Sequence, residues 1–213
     1  MSDQKTILNL IILDASGSMR SKVEEVQGGL NQLFQGLQED LVKQPDVRNK
    51  TTVVDFSSHN DFRKLYFDAD PSDLKALKEG DYVPRSMTAL YDAIGKAFQM
   101  VPEDQKDILV TIFTDGVEND SKEWKSADIK SLILEKEAQG WTITFMGTTT
   151  ESMLAAERIG IKSDKMLRYS DSKAGTKYAF DKLSDARRKY QSSVAYSIRL
   201  EDIFNEDNVS SSK

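Results

Sequence analysis

The chain has 213 residues, of which 38% are hydrophobic and 30% charged, the proportions of a soluble globular protein and not of a disordered one. It contains no cysteine and a single histidine, His59, which excludes disulfides, thiolate metal sites, iron–sulfur clusters, cysteine nucleophiles and multi-histidine zinc sites. The net charge of -6 argues against bulk attraction to nucleic acid or to an anionic membrane. Any bound metal must therefore be held by oxygen ligands.

The first apolar segment, 7–13, ends at Asp14 and follows a polar N-terminus. It is too short to span a bilayer and lacks the basic flank and small-residue cleavage site of a signal peptide. We therefore expect a cytoplasmic location, with no membrane partner. As a near-continuous apolar run of strand length, the same segment predicts a first β-strand that is covered on both faces.

The next segments predict a helix and a pair of strands. Apolar residues three or four apart, from Met19 to Leu41, predict an amphipathic helix, and we expect its Gly28-Gly29 pair to allow a close approach to the sheet. Strands are predicted at 51–57 and 62–67, joined by a short polar turn. A turn this short makes the two strands antiparallel, so the second should lie at the sheet edge.

The remaining segments continue the alternation of helices and strands. They predict a short helix opening at 70–73 with Leu74 and Leu77 inward, a helix after Thr88, a strand at 108–113, a helix closed by Gly140, a strand at 141–146, a helix at 151–158, a strand at 166–169 and a last helix reaching Tyr190. This order predicts an α/β fold: a doubly wound, mostly parallel sheet with one antiparallel edge strand and helices on both faces. We expect one domain at 1–190, followed by a partly ordered C-terminal extension at 191–213.

Carboxylates and hydroxyls cluster where predicted strands end. Asp14, Ser16 and Ser18 follow the first strand, Asp115 follows the strand at 108–113, and Thr88 opens a helix between them. Because ligands of open α/β sheets bind outside the carboxyl ends of the strands, we expect these five side chains to share one edge. Oxygen donors of this kind suit Mg²⁺, which takes about six oxygens and usually keeps several waters. Such a site would be completed by water or by a carboxylate from a partner.

The pattern resembles the von Willebrand factor A domain, also called the integrin I-like domain, over about 6–190. The resemblance rests on Asp14-Ala15-Ser16-Gly17-Ser18, on Thr88 and on Asp115, which match the family's metal-ion-dependent adhesion site. It implies a Rossmann-like fold in which Ser16, Ser18 and Thr88 bind the metal directly or through water. Asp14 and Asp115 would act through bound water or directly.

The resemblance also implies a function. Mg²⁺ is the expected ion, with Mn²⁺ or Ca²⁺ as alternatives, and an acidic residue of a partner protein would occupy the open coordination position. Stand-alone relatives serve in multiprotein assemblies, so the chain is predicted to be a non-enzymatic protein-binding module. One departure from the family pattern is Arg85-Ser86-Met87, where a glycine is usual before the threonine. We expect this segment to make the rim basic and to help seat an acidic partner.

Two other functions are compatible with the same residues. A magnesium-dependent phosphohydrolase also carries an aspartate after its first strand, but Ser16 stands where its second carboxylate would be, and no lysine is evidently placed to steady a phosphate. No phosphate-binding Gly-x-x-x-x-Gly-Lys loop exists either. Alternatively, the metal only stabilises the fold of a structural module, such as a homo-oligomer.

Two polar segments have simpler interpretations. His59 lies in a polar turn and is expected to be solvated. The acidic stretch with Glu118, Asp120 and Glu123 is expected to cap a helix in solvent, with a second cation site as the alternative.

Overall fold

A computed structural model describes residues 5–196 and 203–204. Its sheet has six strands in the order β3-β2-β1-β4-β5-β6. The strands are β1 (Lys5–Asp14), β2 (Val47–Phe56), β3 (Phe62–Ala69), β4 (Asp107–Phe113), β5 (Thr142–Gly147) and β6 (Met166–Arg168). All neighbours pair in parallel except β2 and β3, which are antiparallel, so β3 is an antiparallel edge strand. The predicted fold class is confirmed.

In the described residues, five α-helices cover the two faces of the sheet: α1 (Val23–Lys43), α2 (Leu90–Gln99), α3 (Ser126–Ala138), α4 (Thr150–Arg158) and α5 (Lys173–Tyr196). Alternation along β1 divides the core, since Leu8, Leu10 and Ile12 face the cluster that contains α2, α3 and α4. Ile11 and Leu13 face the opposite cluster, which contains α1 and α5. The strand is buried on both sides, as its continuous apolar sequence predicts.

Several element boundaries differ from the sequence-based expectation. β2 begins at Val47, four residues early, because it pairs with β1 along that strand's whole length. The segment after Asp70 makes only a three-residue 3-10 turn, Pro71–Asp73, although Leu74 and Leu77 are buried as expected. The first helical segment begins as a 3-10 helix, Gly17–Lys22, before α1 starts. Leu41, where the predicted apolar series ends, is exposed.

Gly29 of the Gly28-Gly29 pair permits a close approach to α5, and not to the sheet as predicted. A Cβ at Gly29 would lie 2.2 Å from Phe180 Cγ, whereas one at Gly28 would meet nothing within 4 Å. The sequence-based expectation was wrong because α5, which comes much later in the chain, packs directly against α1.

The C-terminal helix α5 continues six residues beyond Tyr190, to Tyr196. Ile203 is buried in a small cluster with Ile7, Val47 and Tyr190. The rest of the predicted extension, 197–202 and 205–213, lies outside the described residues, and the division at residue 190 stays a prediction. Within the described part of the chain, no helix is both long and apolar enough to cross a membrane.

Candidate metal centre

Asp14 is the last residue of the central strand β1, and its side chain is fully buried. Its Oδ1 accepts a hydrogen bond of 2.6 Å from the Ser16 backbone N–H, and its Oδ2 accepts one of 2.5 Å from the Thr114 hydroxyl. Burial raises the pKa of Asp14 to about 6, although these hydrogen bonds oppose the shift. A carboxylate held in this way favours a cation beside it.

The two serines after β1 lie together. Ser16 Oγ and Ser18 Oγ are 3.0 Å apart, and the Ser18 hydroxyl donates to Asp115 Oδ1. Asp115 follows β4, the strand that pairs with β1, so parallel pairing brings both aspartates to the same edge. The structure therefore places Asp14, Ser16, Ser18 and Asp115 together, as the sequence analysis predicts.

Thr88 reaches the same edge from a loop that backbone hydrogen bonds attach to the strand ends. Gly17 N–H donates to Ser86 O at 2.9 Å, and Arg85 N–H donates to Ala15 O at 2.7 Å. The Thr88 N–H donates to Asn119 Oδ1 at 2.9 Å, which joins this loop to the one after β4. The loop is therefore fixed from both sides by hydrogen bonds of its main chain.

Gly116 shows how close Thr88 and Asp14 come. A Cβ at Gly116 would lie 2.9 Å from Thr88 Oγ1 and 3.2 Å from Asp14 Oδ2. Both oxygens thus border the same small space above this glycine. Two carboxylates and three hydroxyls are a hard-oxygen donor set, which fits a divalent cation such as Mg²⁺, Mn²⁺ or Ca²⁺. That these five residues hold the metal remains a prediction, which their placement supports.

Sequence reasoning missed Lys22, which also reaches the site. Its side chain is buried, and its ammonium group contacts both Asp115 Oδ2 and Asp171. Burial alone would lower the pKa of Lys22, but the hydrogen bonds to the two carboxylates raise it above its ordinary value. The signal was present: Lys22 lies three residues after buried Met19 and four before buried Val26, on the inward face of the helical segment.

The Arg85-Ser86-Met87 segment does not make the rim basic, and this expectation was wrong. Arg85 pairs with Asp55, at 2.9 Å, and with Asp61, so its charge is neutralised within the domain. Met87 is 44% exposed, and Val83 and Val117 are exposed to a similar extent. The side chains exposed on the loops that carry Thr88 and Asp115 therefore include apolar ones.

His59 is not a solvated side chain, so the expectation that it lies in solvent was wrong. Its Nδ1 lies 2.7 Å from Asp92 Oδ2, and the histidine side chain is only 25% exposed. Burial would raise the pKa of Asp92, but hydrogen bonds from Lys122 N–H, His59 and the Trp124 and Glu123 N–H groups hold it below its ordinary value. Asp92 thus anchors the turn before α3.

His59, Asp92 and Glu123 bring three potential metal-ligand atoms within 4.8 Å of one another. Both oxygens of Asp92 already accept hydrogen bonds, two from backbone N–H groups at Oδ1 and two at Oδ2. Glu123 pairs with Lys96 at 2.8 Å. Glu118 accepts hydrogen bonds from the Tyr91 N–H group at the start of α2 and from the Ser121 N–H group of its own loop. The capping interpretation of this acidic stretch accounts for its contacts, with no cation needed.

Comparison with known proteins agrees with this architecture. The family model for the von Willebrand factor type A domain matches residues 10–186. No curated protein sequence matches the chain significantly. Among solved structures, proximal thread matrix protein 1 from the mussel byssus is 16% identical with a TM-score of 0.62, over 84% of this chain and 45% of its own.

Another structure of that matrix protein, with a zinc-occupied metal-ion-dependent adhesion site, is 20% identical with a TM-score of 0.57, over 87% of this chain and 44% of its own. The pilus adhesin SpaC from Lactobacillus rhamnosus GG is 12% identical with a TM-score of 0.66, over 86% of this chain and 31% of its own. This chain spans less than half the length of these proteins. At such identities the likeness concerns the fold, while the family match covers most of the chain. The chain belongs to the von Willebrand factor type A domain family.

Proposed function

We propose that the chain is a non-enzymatic protein-binding module in which a divalent cation bridges to an acidic residue of a partner. One observation carries this proposal: two carboxylates and three hydroxyls from three separate loops meet at the carboxyl edge of β1 and β4. Mg²⁺ is the proposed ion. Because Mg²⁺ takes about six oxygens, this donor set leaves room for water and for a carboxylate from outside.

In the proposed mechanism, Ser16, Ser18 and Thr88 offer hydroxyl oxygens to the ion. Asp14 and Asp115 supply negative charge, directly or through water. Thr114 and Tyr82 hold Asp14 in place. The Thr114 hydroxyl donates a hydrogen bond to the Asp14 carboxylate, and the buried Tyr82 hydroxyl donates a hydrogen bond of 2.5 Å to the Asp14 backbone oxygen. The bound cation would supply electrostatic attraction for an incoming carboxylate, a local effect that the chain's net charge of -6 opposes only weakly.

The similar proteins lend support, since they include a matrix protein and a pilus adhesin. One observation favours the phosphohydrolase alternative: a lysine, Lys22, reaches the site and pairs with Asp115. That ammonium is already shared by two carboxylates, and Ser16 provides no acid in place of the second carboxylate. We therefore favour protein binding over phosphate transfer. We further propose that this binding takes place in a multiprotein assembly in the cytoplasm.

The proposal is tested by partner capture from cells that express the chain. Wild type is compared in magnesium and in EDTA, alongside Asp14→Ala and a control variant of an exposed acid, Asp46→Ala. We expect one set of partners that wild type and Asp46→Ala retain in magnesium, and that EDTA or Asp14→Ala removes. Partners retained under all four conditions would exclude the metal bridge, and a phosphatase assay of the same samples would detect the enzymatic alternative.

A further inference from the structure

The Lys22 ammonium is part of the candidate metal centre and not a surface charge. The residue is 4% exposed, and it extends from the 3-10 helix that directly follows Ser16. Asp115 uses both of its carboxylate oxygens: the Ser18 hydroxyl binds Oδ1 and Lys22 binds Oδ2. One of the two acidic side chains expected to attract a metal is therefore already paired with a cation that belongs to the chain.

The charge balance of the buried groups follows from these contacts. Asp14 and Asp115 are buried acids, and Lys22 is a buried base that its carboxylate partners keep protonated. Asp171, the second partner of Lys22, has a side chain that is 63% exposed, so solvent screens its charge. With Asp14 ionised, the buried groups carry one net negative charge. A divalent cation turns that into one net positive charge, and a single carboxylate from a partner brings it to zero.

We infer that Lys22 is a built-in counter-cation that weakens binding of the free divalent ion and leaves the ion-loaded site with a positive charge for an acidic partner. This inference rests on the proposed function and adds to it the residue that sets the ion's affinity. Because the Lys22 ammonium contacts Asp115 Oδ2, it would repel a divalent ion that Asp115 helps to bind, and such repulsion is strong where little water screens it. Removing the ammonium should therefore tighten binding of the ion when no partner is present.

A purely structural role for Lys22 makes the opposite prediction. If the ammonium served only to hold Asp115 in place, its loss would let Asp115 move, and the ion would bind less tightly. The sign of the change in ion affinity thus separates the two roles.

The experiment is calorimetric titration of Mn²⁺ into the metal-free full chain, with folding of each variant checked first by circular dichroism. We expect Lys22→Met to bind Mn²⁺ about tenfold more tightly than wild type. The matched control is Lys173→Met. It removes an exposed lysine at the start of α5 that pairs with Glu24 and Glu25 of α1. Its affinity should stay within about twofold of wild type. Unchanged or weaker binding by Lys22→Met would overturn the inference.

Asp171→Asn keeps the inference testable if Lys22→Met does not fold. Without Asp171 the ammonium binds Asp115 alone, and we expect Mn²⁺ affinity to fall about threefold. Glu25→Gln is the matched control for loss of an acid and should have little effect. Affinity that is unchanged or raised in Asp171→Asn would contradict the inference. Asp14→Ala is titrated in the same way. If wild type binds Mn²⁺ no more tightly than Asp14→Ala, the proposed function fails together with the inference, whereas the outcomes above overturn the inference alone.

Discussion

The Thr114 hydroxyl donates a hydrogen bond of 2.5 Å to Asp14 Oδ2 and so joins the ends of the neighbouring parallel strands β1 and β4. Both residues are fully buried. Asp14 is therefore held by the strand that also delivers Asp115. The orientation of the first acid of the candidate centre therefore depends on the neighbouring strand end as well as on the loop that carries Ser16.

Thr114→Val removes this hydrogen bond while conserving the shape of the side chain. We expect Mn²⁺ affinity at neutral pH to fall about tenfold, since hydrogen bonds to charged groups contribute about 1.5–3 kcal/mol. Thr111→Val is the control, because Thr111 is buried within β4, the strand that Thr114 directly follows, and lies away from Asp14. Equal affinities of the two variants in a calorimetric titration would show that Thr114 does not position Asp14.

Gly116→Ala tests the closeness of Thr88 to Asp14. The new methyl group would lie 2.9 Å from Thr88 Oγ1, nearer than carbon and oxygen normally approach. Thr88 must then shift, and we expect weaker Mn²⁺ binding with little change in the free energy of unfolding of the metal-free chain. Val117→Ala, at the exposed neighbouring position, should leave the affinity at the wild-type value. A Gly116→Ala variant that binds as tightly as Val117→Ala would argue against Thr88 as a ligand.

Asp92 predicts a pH dependence of stability. Its folded pKa is held below the ordinary value of 3.8, so its contribution is present above that pH and is lost as the pH falls through the lower, folded value. We expect Asp92→Asn to lower the free energy of unfolding by about 2–3 kcal/mol at pH 7. The gap from wild type should narrow below pH 3.8 in urea denaturation. A gap that does not change with pH would contradict the assigned ionised state, and Asp46→Asn provides the exposed control.

The adjacent glycines of α1 should respond oppositely to alanine. Gly28→Ala adds a methyl group in open space and should stabilise the chain by about 0.5–1 kcal/mol through helix propensity. Gly29→Ala places its methyl group against the Phe180 ring and should destabilise it by about 1–3 kcal/mol. Thermal melting of both variants measures the difference. Equal effects would mean that α1 and α5 are not packed as described.

Local periodicity predicted the strands well, and the short turn between β2 and β3 predicted the antiparallel edge strand. The end of the apolar run places Asp14 at the carboxyl end of β1, and parallel pairing with β4 then brings in Asp115. Contacts between distant loops were not predictable in the same way. The pairing of Arg85 with Asp55 arises where a loop meets the end of β2, and that of His59 with Asp92 where a turn meets α2.

Lys22 is an intermediate case. Its spacing from Met19 and Val26 predicts the inward face, but a buried lysine needs an acidic partner, and that partner lies 93 residues away along the chain. Only the assembled sheet shows that the partner is Asp115. The predicted cytoplasmic location remains a prediction.

The central claim is that Asp14, Ser16, Ser18, Thr88 and Asp115 form a divalent-cation site. The most direct test is an anomalous difference map from crystals of the full chain grown with MnCl₂. We predict one strong peak beside the Ser16, Ser18 and Thr88 hydroxyls, at about 2.0–2.3 Å from the atoms that bind it directly. A peak at His59, Asp92 and Glu123 instead, or no peak at the carboxyl edge of β1 and β4, would contradict the account.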